Sequence, residues 1–206
     1  VESPVRVEIF LVEIDADGHV EQIAHACRAV GRALRLGKVA GDERVRIERT
    51  VTRGDVDLHV VTAGEGFPIL LAHGFPELAY SWRHQIPALA AAGYRVLAPD
   101  QRGYGRSGRP EAVEDYDIEH LTGDLLAILD AEGIEEAVVV GHDWGSIVAW
   151  SLAQLAPGRV AGVVGMSVPF VPRGPEPPTQ MMRKLLGDAF FYMLYFQEPG
   201  VADAEL

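Results

Sequence analysis

Gly141-His142-Asp143-Trp144-Gly145 sets an acidic side chain between two glycines. The unbroken apolar run Ala137 to Val140 leads into it, and apolar residues at helical spacing follow at once. A strand that turns sharply into a helix forces its central residue toward positive φ, and only neighbours without a side chain fit beside it. The central residue then stands exposed at the strand's end, which is where a nucleophile is useful. Here that residue is aspartate rather than serine. Serine needs a base to become a nucleophile, whereas a carboxylate with an ordinary pKa of about 3.9 is ionised at neutral pH. Carboxylates attack amides and esters poorly, yet they displace good leaving groups at saturated carbon. The product is an ester between protein and substrate. Water must then attack the carbonyl of that ester, and the resulting oxyanion needs hydrogen-bond donors. One expected donor is the backbone N–H of Trp144. The other is expected after a second buried strand: Ile69 to Ala72 runs into His73-Gly74-Phe75-Pro76, and the Phe75 N–H is chosen.

These groups need a frame. Ile69 to Ala72, Val96 to Ala98, Val138 to Val140 and Val160 to Val168 are short apolar runs, as in parallel strands covered on both faces. Helices are expected between them, at about Ser81 to Ala92, Asp117 to Glu132 and Trp144 to Ala156, with Ser81 and Asp117 as N-caps and Pro157-Gly158 as a stop. Arg44 to Val51 alternates, Gly54-Asp55 turns, and Val56 to Thr62 returns, which reads as a hairpin. Alternating strands and helices imply an α/β fold with a doubly wound, mostly parallel sheet and an N-terminal antiparallel hairpin. Residues 43–168 form this core. Residues 1–42 read as an appendage of unknown role: a strand at Val5 to Ile14, a turn at Asp15 to Gly18, and a helix at Val20 to Leu36 closed by Gly37 and Gly41. Prolines crowd 169–178, and Thr179 to Glu198 is helical in character, so 169–206 is a separate segment.

Composition narrows the function. The chain has 206 residues, 48% of them hydrophobic, and a net charge of −12. That acidity argues against a phosphate-backbone partner, so no nucleic acid is expected. No apolar run reaches the length of a membrane span, and the N-terminus, broken by Glu8 and Glu13, is no signal peptide. One cysteine, Cys27, excludes an intrachain disulfide. A soluble, cytoplasmic protein is the expectation.

Four motifs occur together and in order: His73-Gly74-Phe75-Pro76-Glu77, Gly103-Tyr104-Gly105-Arg106-Ser107, Gly141-His142-Asp143-Trp144-Gly145 and Tyr195-Phe196-Gln197-Glu198-Pro199-Gly200. From about residue 43 onward the sequence resembles soluble-type epoxide hydrolases of the α/β-hydrolase fold, bacterial ones in particular. The resemblance implies an α/β-hydrolase core, with residues 169–206 as the start of a helical cap. It implies that Asp143 opens the epoxide, that Tyr192 protonates the leaving oxygen, and that Phe75 and Trp144 form the oxyanion hole. Phe75, Pro76, Trp144 and Tyr192 would bind a small apolar epoxide, and the product would be a vicinal diol. No cofactor is implied. An alkoxide is a poor leaving group, so an acid beside it is chemically required; Tyr195 is the weaker candidate.

The family also carries a histidine base, its acid partner and a second cap tyrosine after the cap. The seven histidines here are His19, His25, His59, His73, His84, His120 and His142, and none follows Asp143. The chain therefore reads as the front two-thirds of such an enzyme, truncated within the cap, with ester hydrolysis expected to fail. The strand at 160–168 would then be an exposed edge, covered by a homo-oligomer or by a completing C-terminal segment. Two alternatives stay open. A haloalkane dehalogenase would use the same aspartate, and a non-catalytic fragment would keep only the fold.

Other motifs point away from chemistry. Gly103-x-Gly105-x-x-Gly108 resembles a dinucleotide loop, but Pro110 and a polar stretch precede the next helix. Asp100 and Arg102 read as a turn network, and His73 is open between a polar network and shaping the site. Asp15-Ala16-Asp17-Gly18 lacks the later ligands of a calcium loop, and no His/Cys cluster implies a metal.

Overall fold

A computed structural model describes residues 9–13, 20–35, 47–172, 174–197 and 199–205. The expected turn at Asp15 to Gly18 and the closing glycines Gly37 and Gly41 lie outside them. The chain divides into two units, 1–170 and 171–206.

Short apolar strands, most of them buried on both faces, build the first unit. Strands β1 (Ile9–Glu13), β2 (Ile47–Arg53), β3 (Val56–Ala63), β4 (Phe67–Ala72), β5 (Tyr94–Pro99), β6 (Ala137–His142) and β7 (Val160–Met166) form one sheet in the order β1-β7-β6-β4-β5-β3-β2. β4 pairs parallel with β5 and β6, and β6 parallel with β7. The hairpin β2–β3 is antiparallel and joins the sheet through β5. On β4, Ile69 and Leu71 face one layer while Leu70 and Ala72 face the other; on β6 the split is Val138 and Val140 against Ala137 and Val139. Both faces are covered, so the strands read as unbroken apolar runs instead of alternating ones. Each buried leucine contributes roughly 1.5–3 kcal/mol.

Helices α1 (Val20–Arg35) and α2 (Gln85–Ala91) supply the first layer; α3 (Ile118–Ala131) and α4 (Trp144–Leu155) supply the second. Asp117 caps α3 as expected, its carboxylate accepting the His120 N–H at 2.8 Å. Ser81 caps nothing. A short 3₁₀ turn spans Ala79–Trp82, and α2 begins only at Gln85. Pro87 explains the break. It has no N–H to give, and its ring would clash with the carbonyl of Arg83, so a helix running from Ser81 through Pro87 is disfavoured.

The strand at 160–168 is not an open edge. β1 lies antiparallel along it, with Ile9 opposite Met166 and Glu13 opposite Gly162. Ala26, Ala29, Val30 and Ala33 of α1 are buried in the same cluster as Ala161 and Val164, and His25 Nδ1 bonds the Tyr94 hydroxyl. The segment read as an appendage is thus built into the sheet and its core. The pairing joins residues some 150 positions apart, which no local pattern shows.

The second unit holds α5 (Pro178–Leu186), α6 (Tyr192–Tyr195) and α7 (Val201–Glu205). The single helical stretch expected at 179–198 is divided. Gly187, at φ 56°, ends α5 in a conformation that a helix cannot continue.

Candidate active site

Strand order reverses at β4: β5 lies on one side and β6 on the other. Loops leaving the carboxyl ends of such strands diverge there and leave a crevice. Both chemically interesting turns sit at this point.

Asp143 joins β6 to α4 at φ 51° and ψ −120°. A non-glycine residue in that region costs about 1–3 kcal/mol, so its surroundings must over-determine it. They do. Its N–H donates to the Met166 carbonyl at 3.1 Å, and its carbonyl accepts the Ser146 N–H at 2.9 Å. Ser146 Oγ lies 2.8 Å from the carbonyls of both Gly141 and Met166, and accepts the Met166 N–H at 3.0 Å. This hydroxyl ties the first turn of α4 to the ends of β6 and β7. At Gly145, an added Cβ would collide with the carbonyl oxygens of Ala72 and His73. The glycine therefore lets α4 start hard against the end of β4.

The turn after β4 approaches from the other side. The Phe75 N–H donates to Asp143 Oδ1 at 2.9 Å. A Cβ on Gly74 would meet the Asp143 side chain, so this contact also depends on glycine. The Phe75–Pro76 bond is cis. Trp144, the other expected donor, opens α4, where N–H groups have no acceptor within the helix. Phe75 is partly exposed, with Pro76 beside it. The arrangement can hold one carboxylate oxygen on a backbone donor while the other is presented for attack.

Three residues shape this turn without having been singled out for a role there. Glu77 Oε2 accepts the Gly74 N–H at 3.1 Å and lies 2.9 Å from His142 Nδ1, which donates to it. Glu77 thus stitches the Phe75 turn to the residue preceding Asp143. No spacing rule could have paired residues 65 positions apart. The third, Ser146, has a weak local signal: a small polar residue in the first turn of a helix.

His73 belongs to a polar network. It is fully buried. Its Nδ1–H donates to the Gly74 carbonyl at 2.8 Å, and its Nε2 accepts the Gln101 N–H at 3.0 Å. Burial pushes its pKa down, and the Gly74 carbonyl with the carboxylates of Asp100 and Glu77 only partly opposes this. Both nitrogens are used in the neutral form, so this ring is a clamp between two loops.

The glycine motif at 103–108 wraps a carboxylate. Asp100 accepts N–H bonds from Ala79 at 2.9 Å and Arg106 at 3.1 Å, and the Gly105 backbone passes against it. Arg102 forks onto Asp124 with two bonds of 2.6 Å, both partners buried, and that carboxylate holds its pKa up. These are the expected turn networks.

Tyr192 opens α6 in the 171–206 unit, half-buried, its ring 5.3 Å from Phe191 and 6.1 Å from Phe196 between centroids. Tyr195 donates its hydroxyl to Glu205 at 2.7 Å, and that bond pushes its pKa up. Among the described residues, no helix is long and apolar enough to cross a membrane, and no three His, Cys, Asp or Glu cluster as a metal site.

Residues 68–203 match the alpha/beta hydrolase fold family. Epoxide hydrolase A of Mycobacterium tuberculosis is 64% identical over 161 residues, covering 77% of this chain and 50% of that protein. Bifunctional epoxide hydrolase 2 of Sus scrofa is 47% identical over 152 residues, covering 73% of this chain and 27% of that protein. Among solved structures, Epoxide Hydrolase A from Mycobacterium thermoresistibile superposes with a TM-score of 0.75 at 60% identity, covering 78% of this chain and 51% of the other. The chain spans about half the length of the first and third, and less of the second. That is shorter than the two-thirds expected from the motifs.

Proposed function

The chain belongs to the α/β-hydrolase fold family, and on that footing we propose that it carries the alkylating half of an epoxide hydrolase. Asp143 Oδ2 attacks a ring carbon of the epoxide. The carbon–oxygen bond breaks, its electron pair goes to oxygen, and Tyr192 gives that oxygen its proton. The result is a hydroxyalkyl ester on Asp143. In the second half, water adds to the ester carbonyl and the oxyanion rests on the N–H groups of Phe75 and Trp144. Collapse releases a vicinal diol and restores the carboxylate, and the remaining proton of the water returns to the Tyr192 phenolate. Activation of that water needs a base. We assign the base to the part of the relatives' length that this chain does not span.

One observation carries the reading: an aspartate, not a serine, occupies the strained turn, with one carboxylate oxygen held by the Phe75 N–H at 2.9 Å. That bond selects Oδ2 as the attacking atom and keeps Oδ1 where the oxyanion will form. The named relatives support an epoxide as the electrophile. Phe75, Pro76, Trp144 and Tyr192 suit a small apolar one. The same aspartate would also serve a haloalkane.

Incubation with styrene oxide and, separately, with 1-chlorobutane distinguishes the two. The proposal expects epoxide loss, at most one equivalent if the ester persists, and no chloride release. Chloride release without epoxide loss would move the assignment to dehalogenation.

A further inference from the structure

Two consecutive residues just past the carboxyl end of β5 grip both ends of the turn that carries Phe75. At the far end, Asp100 Oδ1 accepts the Ala79 N–H at 2.9 Å. At the near end, the Gln101 N–H donates to His73 Nε2 at 3.0 Å, and the Gln101 side-chain amide donates to the His73 carbonyl. The pairing of β4 with β6 stops at Ala72 opposite Gly141, so this carbonyl lies one residue beyond the ladder. A buried backbone carbonyl without a strand partner needs another donor. Gln101, itself buried, supplies one from its side chain. The same loop brings the Tyr104 N–H onto the Gln101 carbonyl at 2.9 Å and packs the Tyr104 ring across His73, 5.0 Å between centroids.

What Gln101 fixes reaches Asp143 in short steps. An N–H donates only to a lone pair, so the bond at Nε2 leaves the ring proton on Nδ1. That proton holds the Gly74 carbonyl at 2.8 Å. The Gly74 carbonyl and the Phe75 N–H belong to one planar peptide unit, so a hold on the carbonyl sets the direction of the N–H. This N–H is the one that donates to Asp143 Oδ1 at 2.9 Å.

We propose that Gln101 is a positioning residue for the chemistry of Asp143. Through His73 it aims the Phe75 N–H that holds Oδ1 and later receives the oxyanion. The proposal rests on the reading of Asp143 as the nucleophile. Gln101 acts on the backbone of the turn and needs no contact with the substrate.

The test compares the 206-residue chain with Gln101→Met, which keeps the length of the side chain and removes its amide. Adduct formation with styrene oxide is followed by intact mass over a range of concentrations. The limiting rate of ester formation is expected to fall about tenfold or more, with the half-saturating concentration within about twofold. A merely structural role would lower the final adduct level, because fewer chains are folded, and leave the rate per reacting chain unchanged. An unchanged limiting rate beside a wild-type adduct on Asp143 would overturn the proposal. No wild-type adduct would instead overturn the reading of Asp143 as nucleophile, and the role of Gln101 with it. If Gln101→Met does not fold, the wild-type chain still decides. Long-range ¹H–¹⁵N spectra of the ¹⁵N-histidine-labelled chain are expected to show His73, assigned by its loss in His73→Gln, as the Nδ1–H tautomer. An Nε2–H tautomer would break the link from Gln101 to the Gly74 carbonyl and overturn the proposal.

Discussion

Asp143 and Tyr192 stand on very different supports. Around Asp143, backbone bonds to Met166 and Ser146, the Phe75 N–H and the packed glycines fix a conformation that the residue would not choose alone. Tyr192 sits on a four-residue helix in a unit whose helices α5 and α6 contain no buried residue. A helix that short has too few hydrogen bonds to hold itself. Within its unit Tyr192 packs against the rings of Phe191 and Phe196. The lesson is that the proposed nucleophile is preorganised by the sheet, whereas the proposed acid sits in a helical segment with no buried residue.

The largest contrast concerns two glycines. Gly145→Val drives a side chain into the backbone of Ala72 and His73, and the chain is expected to lose about 4 kcal/mol or to fail to fold. Gly187→Ala meets nothing within 4 Å and suffers only from its backbone angles, which match those of Asp143, so about 1–3 kcal/mol is expected. Urea unfolding measures both, and equal losses would erase the contrast.

Next in size, Tyr192→Phe should slow ester formation by about 10²-fold or more, the ordinary contribution of a positioned acid. Stopped-flow consumption of the epoxide reads this out, and an unchanged rate would remove Tyr192 from the mechanism. Burial gives the third contrast. Ala26→Asp puts a charge into the core that α1 shares with the sheet, and should cost about 3 kcal/mol or more. Phe190→Asp, at a side chain 78% exposed, should stay within about 0.5 kcal/mol. A tolerated Ala26→Asp would show that α1 is not part of the core.

Acid should loosen the first unit through His73, whereas residues 171–206 contain no histidine. The folded pKa of His73 lies below the ordinary value of about 6.5, so the unfolded chain binds its proton first. This contribution is complete above pH ~6.5 and is lost as pH falls toward the folded value. Urea midpoints across pH 5 to 8 should show that slope, and His73→Gln should remove it. The smallest effect is expected from Tyr195→Phe, which loses one exposed bond to Glu205 and should leave the rate of ester formation within about twofold. A large effect would exchange the roles of the two tyrosines.

Much of the first unit was legible because buried parallel strands leave unbroken apolar runs, and because an aspartate between glycines after such a run admits few geometries. Pro87 outweighed the helical spacing at Ser81, a local rule that spacing alone does not weigh. The pairing of β1 with β7 and the link from Glu77 to His142 were illegible for one reason: each joins residues far apart in the chain, and only the completed sheet brings them together. In 171–206 the aromatic stripe suggested one helix, and Gly187 divided it.

The most direct test is intact-mass spectrometry of the chain after incubation with styrene oxide, followed by peptide mapping, with Asp143→Asn as control. The account predicts one added epoxide mass on the peptide containing Asp143, formed by the wild-type chain and absent from the variant. An adduct that maps elsewhere, or no adduct together with no diol in solution, would contradict it.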